Sequence, residues 1–193
     1  MHKSKIIWVI LAGGRATRMG GQDKGLVLFD GKPLISHVYH KLNAQQAKIV
    51  INANRNQTAY QQYAEVVADL TDTFDGPLAG MQAAMTHCQA DWFGFVPCDT
   101  PNLPDDLLLR MQQCINTNLE ALVAHDGNHM QPTLCMLRSA VLPKLSAFLD
   151  QGERKLGYFL STLACQPVDF SHCPADFANL NSAQDLIDYR PAH

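Results

Sequence analysis

The sequence predicts a three-layer α/β/α domain built on a mostly parallel sheet, and three observations predict it. Six short apolar runs are bounded by Gly, Pro, Asn or Asp, the pattern of parallel strands covered on both faces. Stretches with helical periodicity alternate with those runs, as βαβ construction requires. Of the 193 residues, 47% are hydrophobic and 17% charged, which supplies a sizeable core and argues against extensive disorder.

The first apolar run, residues 6–11 (IIWVIL), follows the basic start MHKSK. That order superficially resembles a secretory leader. The run is only six residues long and no A-x-A pattern follows, so it reads as a first core strand. Further strands are expected at 48–52, 66–68, 92–96, 121–124 and 133–137. A helix is expected over 33–43, with Leu34, Ile35, Val38, Tyr39 and Leu42 on one stripe and Pro33 in the first turn. Leu107, Leu108, Met111 and Ile115 form a second stripe. Val141, Leu142, Leu145, Phe148 and Leu149 form a third. The spacing Ser182-x-x-Asp185 resembles a capping box that opens a closing helix before Leu186 and Ile187. No repeat, low-complexity tract or linker-like run divides the chain, so a single domain over 1–193 is expected.

Composition narrows the partners. A formal charge of −3 gives no global basic field, so neither nucleic acid nor an anionic membrane surface is expected as a partner. No apolar run approaches the ~18 residues of a membrane-spanning helix, and a cytoplasmic location is expected. The six cysteines (Cys88, Cys98, Cys114, Cys135, Cys165, Cys173) contain no C-x-x-C pair and do not cluster with histidine. Neither a disulfide framework nor a structural zinc site is expected. His125 and His129 are four apart, but Asp126 and Gly127 between them indicate a turn rather than a metal-binding helix.

The informative chemistry lies just after the strands, where ligands gather in open α/β sheets. Four predicted strand ends carry unusual polar residues: 13–24, 52–55, Asp69 and 97–100. The stretch 11–25, LAGGRATRMGGQDKG, matches neither the Walker A loop nor the G-x-G-x-x-G fingerprint. Taken alone, it suits a phosphate chain or a solvated turn equally. Gly13 and Gly14 would let backbone N–H groups approach a ligand, and Arg18 and Lys24 supply cations. In FVPCDTPNLP, Asp99 stands at a strand tip among prolines, suited to Mg²⁺ or to capping the next element. Asp105 and Asp106 read as acidic residues in the first turn of a helix. In DTFDGPLAGMQAAM, a tight loop enters a helix whose N-terminus could meet an anion. Arg154 and Lys155 suit either a bound phosphate or a solvated helix start.

Together these segments resemble the nucleotidyltransferases, and within them the molybdenum cofactor guanylyltransferase family. The resemblance runs through LAGGRATRMGGQDKGL, GKPLI, VINANR, DGPLAGM, PCDTP, HDG, QPT and FANLNS, in family order over nearly the whole chain. It implies a Rossmann-like nucleotidyltransferase fold, with a nucleotide half over about 1–100 and an acceptor half over about 101–193. It implies transfer of GMP from GTP to the phosphate of molybdopterin, with release of pyrophosphate. GTP would lie against Leu11, Ala12 and Gly13, with Lys24 on its phosphates. Asn52 and Asp69 would serve the nucleoside, and Asp99 would bind Mg²⁺ and nucleotide. Lys24, Asp99 and Arg18 are the implied catalytic groups. Arg18, Gly21, Gly80, Asn179 and Asn181 match positions near the acceptor.

The LAGG form, with Gly13, resembles the guanylyl-transferring members, whereas cytidylyl-transferring relatives usually read LAAG. Molybdenum-inserting proteins and molybdoenzyme chaperones are implied partners, and a monomer is expected. Two readings stay open beside this one: transfer of a cytidylyl or other nucleotidyl group, and a non-catalytic GTP-binding cofactor carrier.

Overall fold

A computed structural model describes residues 4–13, 23–71, 76–180 and 185. In chain order the strands are β1 (Ile6–Leu11), β2 (Leu28–Phe29), β3 (Lys32–Pro33), β4 (Ile49–Asn52), β5 (Glu65–Val67), β6 (Trp92–Pro97), β7 (Ala121–His125), β8 (Met130–Arg138) and β9 (Cys165–Asp169). The helices are α1 (Leu34–Ala44), α2 (Gln57–Tyr60), α3 (Pro77–His87), α4 (Leu107–Gln113), α5 (Leu142–Asp150) and α6 (Leu156–Ser161). Strands β2 and β3 form a small separate hairpin; the other seven form one sheet in the order β5-β4-β1-β6-β8-β7-β9.

Side-chain alternation along the strands builds two cores. Ile7 and Val9 of β1, Phe93 and Phe95 of β6, and Ala121 and Val123 of β7 face α3, α5 and α6. Trp8 and Ile10, Trp92 and Val96, and Leu122 and Ala124 face α1, α2 and α4. These near-continuous apolar strands are buried on both sides, as a sheet between two helical layers must be. Gly94 stands opposite Trp8 in the β1–β6 register, and a Cβ there would lie 2.5 Å from the indole. That glycine makes room for the largest side chain of the central strand.

Within the seven-stranded sheet every neighbouring pair is parallel except those involving β8, which runs antiparallel to both β6 and β7. The parallel strand expected at 133–137 is thereby corrected. A four-residue connection from β7 can only reverse the chain, since a parallel return needs a crossover of a dozen residues or more. Strand β9, the β2–β3 hairpin, α2 and α6 were not legible in the sequence pattern. In β9 only Val168 is buried and Pro167 interrupts the run, which an edge strand tolerates. The expected helices at 33–43, 107–115 and 141–149 are present as α1, α4 and α5. The closing helix expected from Ser182 lies outside the described residues apart from Asp185, which is helical.

Candidate active site

The four polar strand ends come together because β5, β4, β1 and β6 are consecutive and parallel in the sheet. Their carboxyl ends stand side by side. Two backbone bonds extend the pairing beyond β1: Ala12 N–H donates to Asn52 O at 2.8 Å, and Cys98 N–H donates to Leu11 O at 3.1 Å. Residues 11–13 therefore emerge between the ends of β4 and β6.

Lys24 arrives from a different direction. Residues 24–26 form a short 3-10 turn that opens at Asp23. From it the ammonium of Lys24 reaches Asp99 Oδ2 as an ion pair, with both side chains mostly buried (23% and 14% exposed). The other carboxylate oxygen, Asp99 Oδ1, is buried and has no hydrogen-bond partner among the described residues. A buried, half-satisfied carboxylate is costly to keep and is a frequent mark of a ligand or ion site. The backbone around it is firmly held: Leu180 N–H donates to Asp99 O at 2.9 Å, and the buried Thr100 hydroxyl donates to Asn179 Oδ1 at 2.7 Å. Leu180 packs with Phe29 and Leu34, so the returning chain is also fastened by an apolar contact to the β2–β3 hairpin and the start of α1.

On the other flank, Asp69 is surrounded by amides. Asn52 Nδ2 donates to its Oδ1 at 2.8 Å, and Asn54 Nδ2 donates to its Oδ2 at 2.7 Å. Its own N–H donates to Asn54 Oδ1 at 2.8 Å. Asn52 is 2% exposed, and its Nδ2 also donates to Val67 O at 3.2 Å. Both of its amide hydrogens are thus engaged inside the protein. Gly80 of α3 fits against this buried amide, since a Cβ at Gly80 would collide with Asn52 Oδ1. A Cβ at Gly13 would meet the same oxygen at 3.1 Å.

Of the residues expected at a site, Leu11, Ala12, Gly13, Lys24, Asn52, Asp69 and Asp99 converge on this edge. Asn179 joins them through Thr100. Gly80 is buried beneath Asn52 rather than on an open face, and its role is clearance. Arg18, Gly21 and Asn181 lie outside the described residues. Arg154 caps the end of α5 by donating to Leu149 O at 2.7 Å and Glu153 O at 2.8 Å. His125 and His129 flank the β7–β8 turn, whose Asp126 accepts from the N–H groups of Asn128 and His129. The flagged strand end 52–55 contains Asn54 without giving it a role of its own, and sequence reasoning missed Asn56 and Tyr60. The two asparagines sit in an asparagine-rich run beside Asn52, a signal that was available; Tyr60 carried none.

The donor set fits a magnesium ion accompanied by phosphates. Among the described residues no group of three or more His, Cys, Asp or Glu converges as an all-protein metal cage. Mg²⁺ asks for less, one or two carboxylates with phosphate oxygens and waters, and Asp99 Oδ1 is such a carboxylate oxygen without a partner.

The family model for the MobA-like NTP transferase domain matches residues 8–164. A molybdenum cofactor guanylyltransferase of Vibrio cholerae is 48% identical over 193 residues, covering all of this chain and 95% of that protein. One from Photobacterium profundum is 49% identical over 182 residues, 94% of each chain. Among solved structures, molybdopterin-guanine dinucleotide biosynthesis protein A of Archaeoglobus fulgidus superposes with a TM-score of 0.77 at 23% identity, over 94% of this chain and 95% of that one. The 4-diphosphocytidyl-2C-methyl-D-erythritol synthase of Anaerococcus prevotii shares the fold at a TM-score of 0.75 and 9% identity, over 96% of each.

Proposed function

The chain belongs to the molybdenum cofactor guanylyltransferases of the MobA-like NTP transferase family, and from that premise we propose that it transfers GMP from Mg·GTP to the terminal phosphate of molybdopterin. The observation that carries the reading is the buried Asp99 carboxylate, with one oxygen on Lys24 and the other unpartnered, at the junction of β1 and β6. A phosphate oxygen of the acceptor attacks the α-phosphorus of GTP, the bond from that phosphorus to the bridging oxygen breaks, and pyrophosphate leaves. The nucleophile is already anionic, so no strong general base is required. The protein supplies alignment and fixed positive charge.

Residues 11–13 present backbone to the nucleotide, and Gly13 keeps that approach free of a side chain. Lys24 moves from Asp99 to the phosphates when they arrive, which leaves both Asp99 oxygens available. Mg²⁺ held by Asp99 would add charge neutralisation as pyrophosphate departs. Asp69, oriented by Asn52 and Asn54, serves the nucleoside, while Asn52 acts from beneath. Arg18 supplements Lys24. Arg18, Gly21, Asn179 and Asn181 are the proposed acceptor-binding residues, and residues from about 101 onward the proposed acceptor half of the domain.

Six free cysteines suit a reducing compartment, and no described helix is long and apolar enough to cross a membrane; the cytoplasm, where GTP is available, is the proposed location. Molybdenum-inserting proteins and molybdoenzyme chaperones are the proposed protein partners, and a monomer the proposed state.

The test is pyrophosphate release from GTP, CTP or ATP with molybdopterin supplied. A signal specific to GTP supports the proposal. A preference for CTP would reassign the base, and tight binding of Mg·GTP without pyrophosphate release would make the protein a carrier.

A further inference from the structure

We propose that Tyr60 is a positioning residue for the transfer reaction, fixing through Asp23 the turn that carries Lys24 to the phosphates. The inference rests on Lys24 being a phosphate-binding cation, as proposed above. Tyr60 is the last residue of α2 and is fully buried in the core shared with α1 and α4. Its hydroxyl donates to Asp23 Oδ1, while Asn56 Nδ2 donates to Asp23 Oδ2 at 3.0 Å. Both oxygens of Asp23 are therefore held from one segment, the chain between β4 and the end of α2. Asp23 also accepts at its backbone, where Leu26 N–H donates to Asp23 O at 3.0 Å. The residue just before Lys24 is thus clamped by side chain and main chain together.

Gly25 completes the contact. A Cβ at Gly25 would stand 2.5 Å from Tyr60 Oη and 3.1 Å from Cε1, so the turn lies directly on the phenol. A three-residue 3-10 turn has little stability of its own, and the long lysine stem has many rotamers to lose. Support from a buried ring stiffens the base from which that stem extends. The phenol suits this task and not proton transfer. Burial pushes its hydroxyl well above the usual tyrosine range, with Cys98 and Asp23 adding to the effect, so it remains a neutral donor. The same bracket supplies Asn54 to Asp69, so both flanks of the proposed nucleotide site are referenced to residues 54–60.

The experiment is a cycle of Tyr60→Phe, Asp23→Ala and Lys24→Ala, singly and combined. It reads GTP affinity by calorimetry, pyrophosphate release, and thermal unfolding. Tyr60→Phe keeps the ring, and Asp23→Ala supplies a second route if the first fails to fold. Each should weaken GTP on the order of tenfold, below the hundredfold that misplacing a group can cost. Neither should weaken it further once Lys24 is alanine, and the two together should lose no more than one. Losses that persist in the Lys24→Ala background would make Tyr60 merely structural and overturn the proposal. Unchanged GTP affinity in Lys24→Ala alone would instead remove the phosphate role of Lys24, and the positioning role with it.

Discussion

Along the carboxyl edge of the sheet, the β5-β4-β1-β6 side and the β7-β9 side both gather carboxylates but satisfy them differently. On the β7-β9 side the partners are local. Asp126 accepts from Asn128, His129 and Gln131, all within five residues, each at 2.7 Å. Asp169 accepts from the N–H of Ser171, two residues on. On the other side the partners are distant in sequence: Lys24 with Asp99 across 75 residues, Tyr60 with Asp23 across 37, Asn52 with Asp69 across 17. One oxygen there, buried, has no partner among the described residues. Local satisfaction makes a turn, and any fold with that turn can have it. Carboxylates held by remote segments, with capacity left over, make a site for something the chain does not itself supply.

The largest expected effect would break the comparison if absent. Asp99→Ala and Lys24→Ala should each lower GTP-dependent pyrophosphate release about a hundred- to thousandfold, the loss typical of a preorganised charged group. The fold should survive both, as judged by circular dichroism. Asp99→Asn should in addition lower thermal stability only modestly, because it relieves one unsatisfied buried oxygen but leaves the part-exposed Lys24 ammonium without its counter-charge. A large fall in its melting temperature would mean that the ion pair holds the fold rather than the site.

Gly80→Ala comes next. The added methyl must displace Asn52 or shift α3, an overpacking change that typically costs about 1–3 kcal/mol. A calorimetric melt should show that loss, and KM for GTP should rise because Asp69 loses its orientation. Stability loss with an unchanged KM would detach Asn52 and Asp69 from nucleotide binding.

The β7-β9 side should respond in the opposite sense. Asp126→Ala should lower the melting temperature by about 2–4 °C, the shift expected for about 1 kcal/mol of lost turn hydrogen bonds. Turnover of GTP should stay at the wild-type value. A loss of activity without a loss of stability would make this turn part of the site.

The smallest effect concerns acid. The His129 and Asn128 amides hold the Asp126 carboxyl below its ordinary value. Its folded pKa then lies below its unfolded one, so the stabilisation is complete above the ordinary carboxylate range near pH 4. It is lost as pH falls through the lowered value. Replacing Asp126 with Asn should therefore flatten that part of an acid-unfolding curve without altering stability's pH dependence between pH 6 and 8.

Much of the fold could be read before any coordinates. The run at 6–11 and the helix stripe from Leu34 matched their elements because burial on both faces of a strand, or on one face of a helix, writes a period into the residues themselves. Strand β9 was illegible for the converse reason: an edge strand with one buried residue has no period to show. The strand ends at Gly13, Asn52, Asp69 and Asp99 were also legible, since polar residues directly after buried strands are conspicuous. Which of them meet was not.

What the sequence by itself determined is the local chemistry: apolar strands, a glycine-rich exit after the first, an aspartate after PC, an asparagine-rich exit after VI. Each follows from side-chain type and spacing over a few residues. Only the tertiary structure decided that Lys24 sits on Asp99, that Asn52 faces inward against Gly80, and that Tyr60 braces Asp23. Those pairings join segments 28 to 75 residues apart, and strand order sets them. A sequence records which groups a chain carries, whereas the distance between two of them exists only once the sheet has formed.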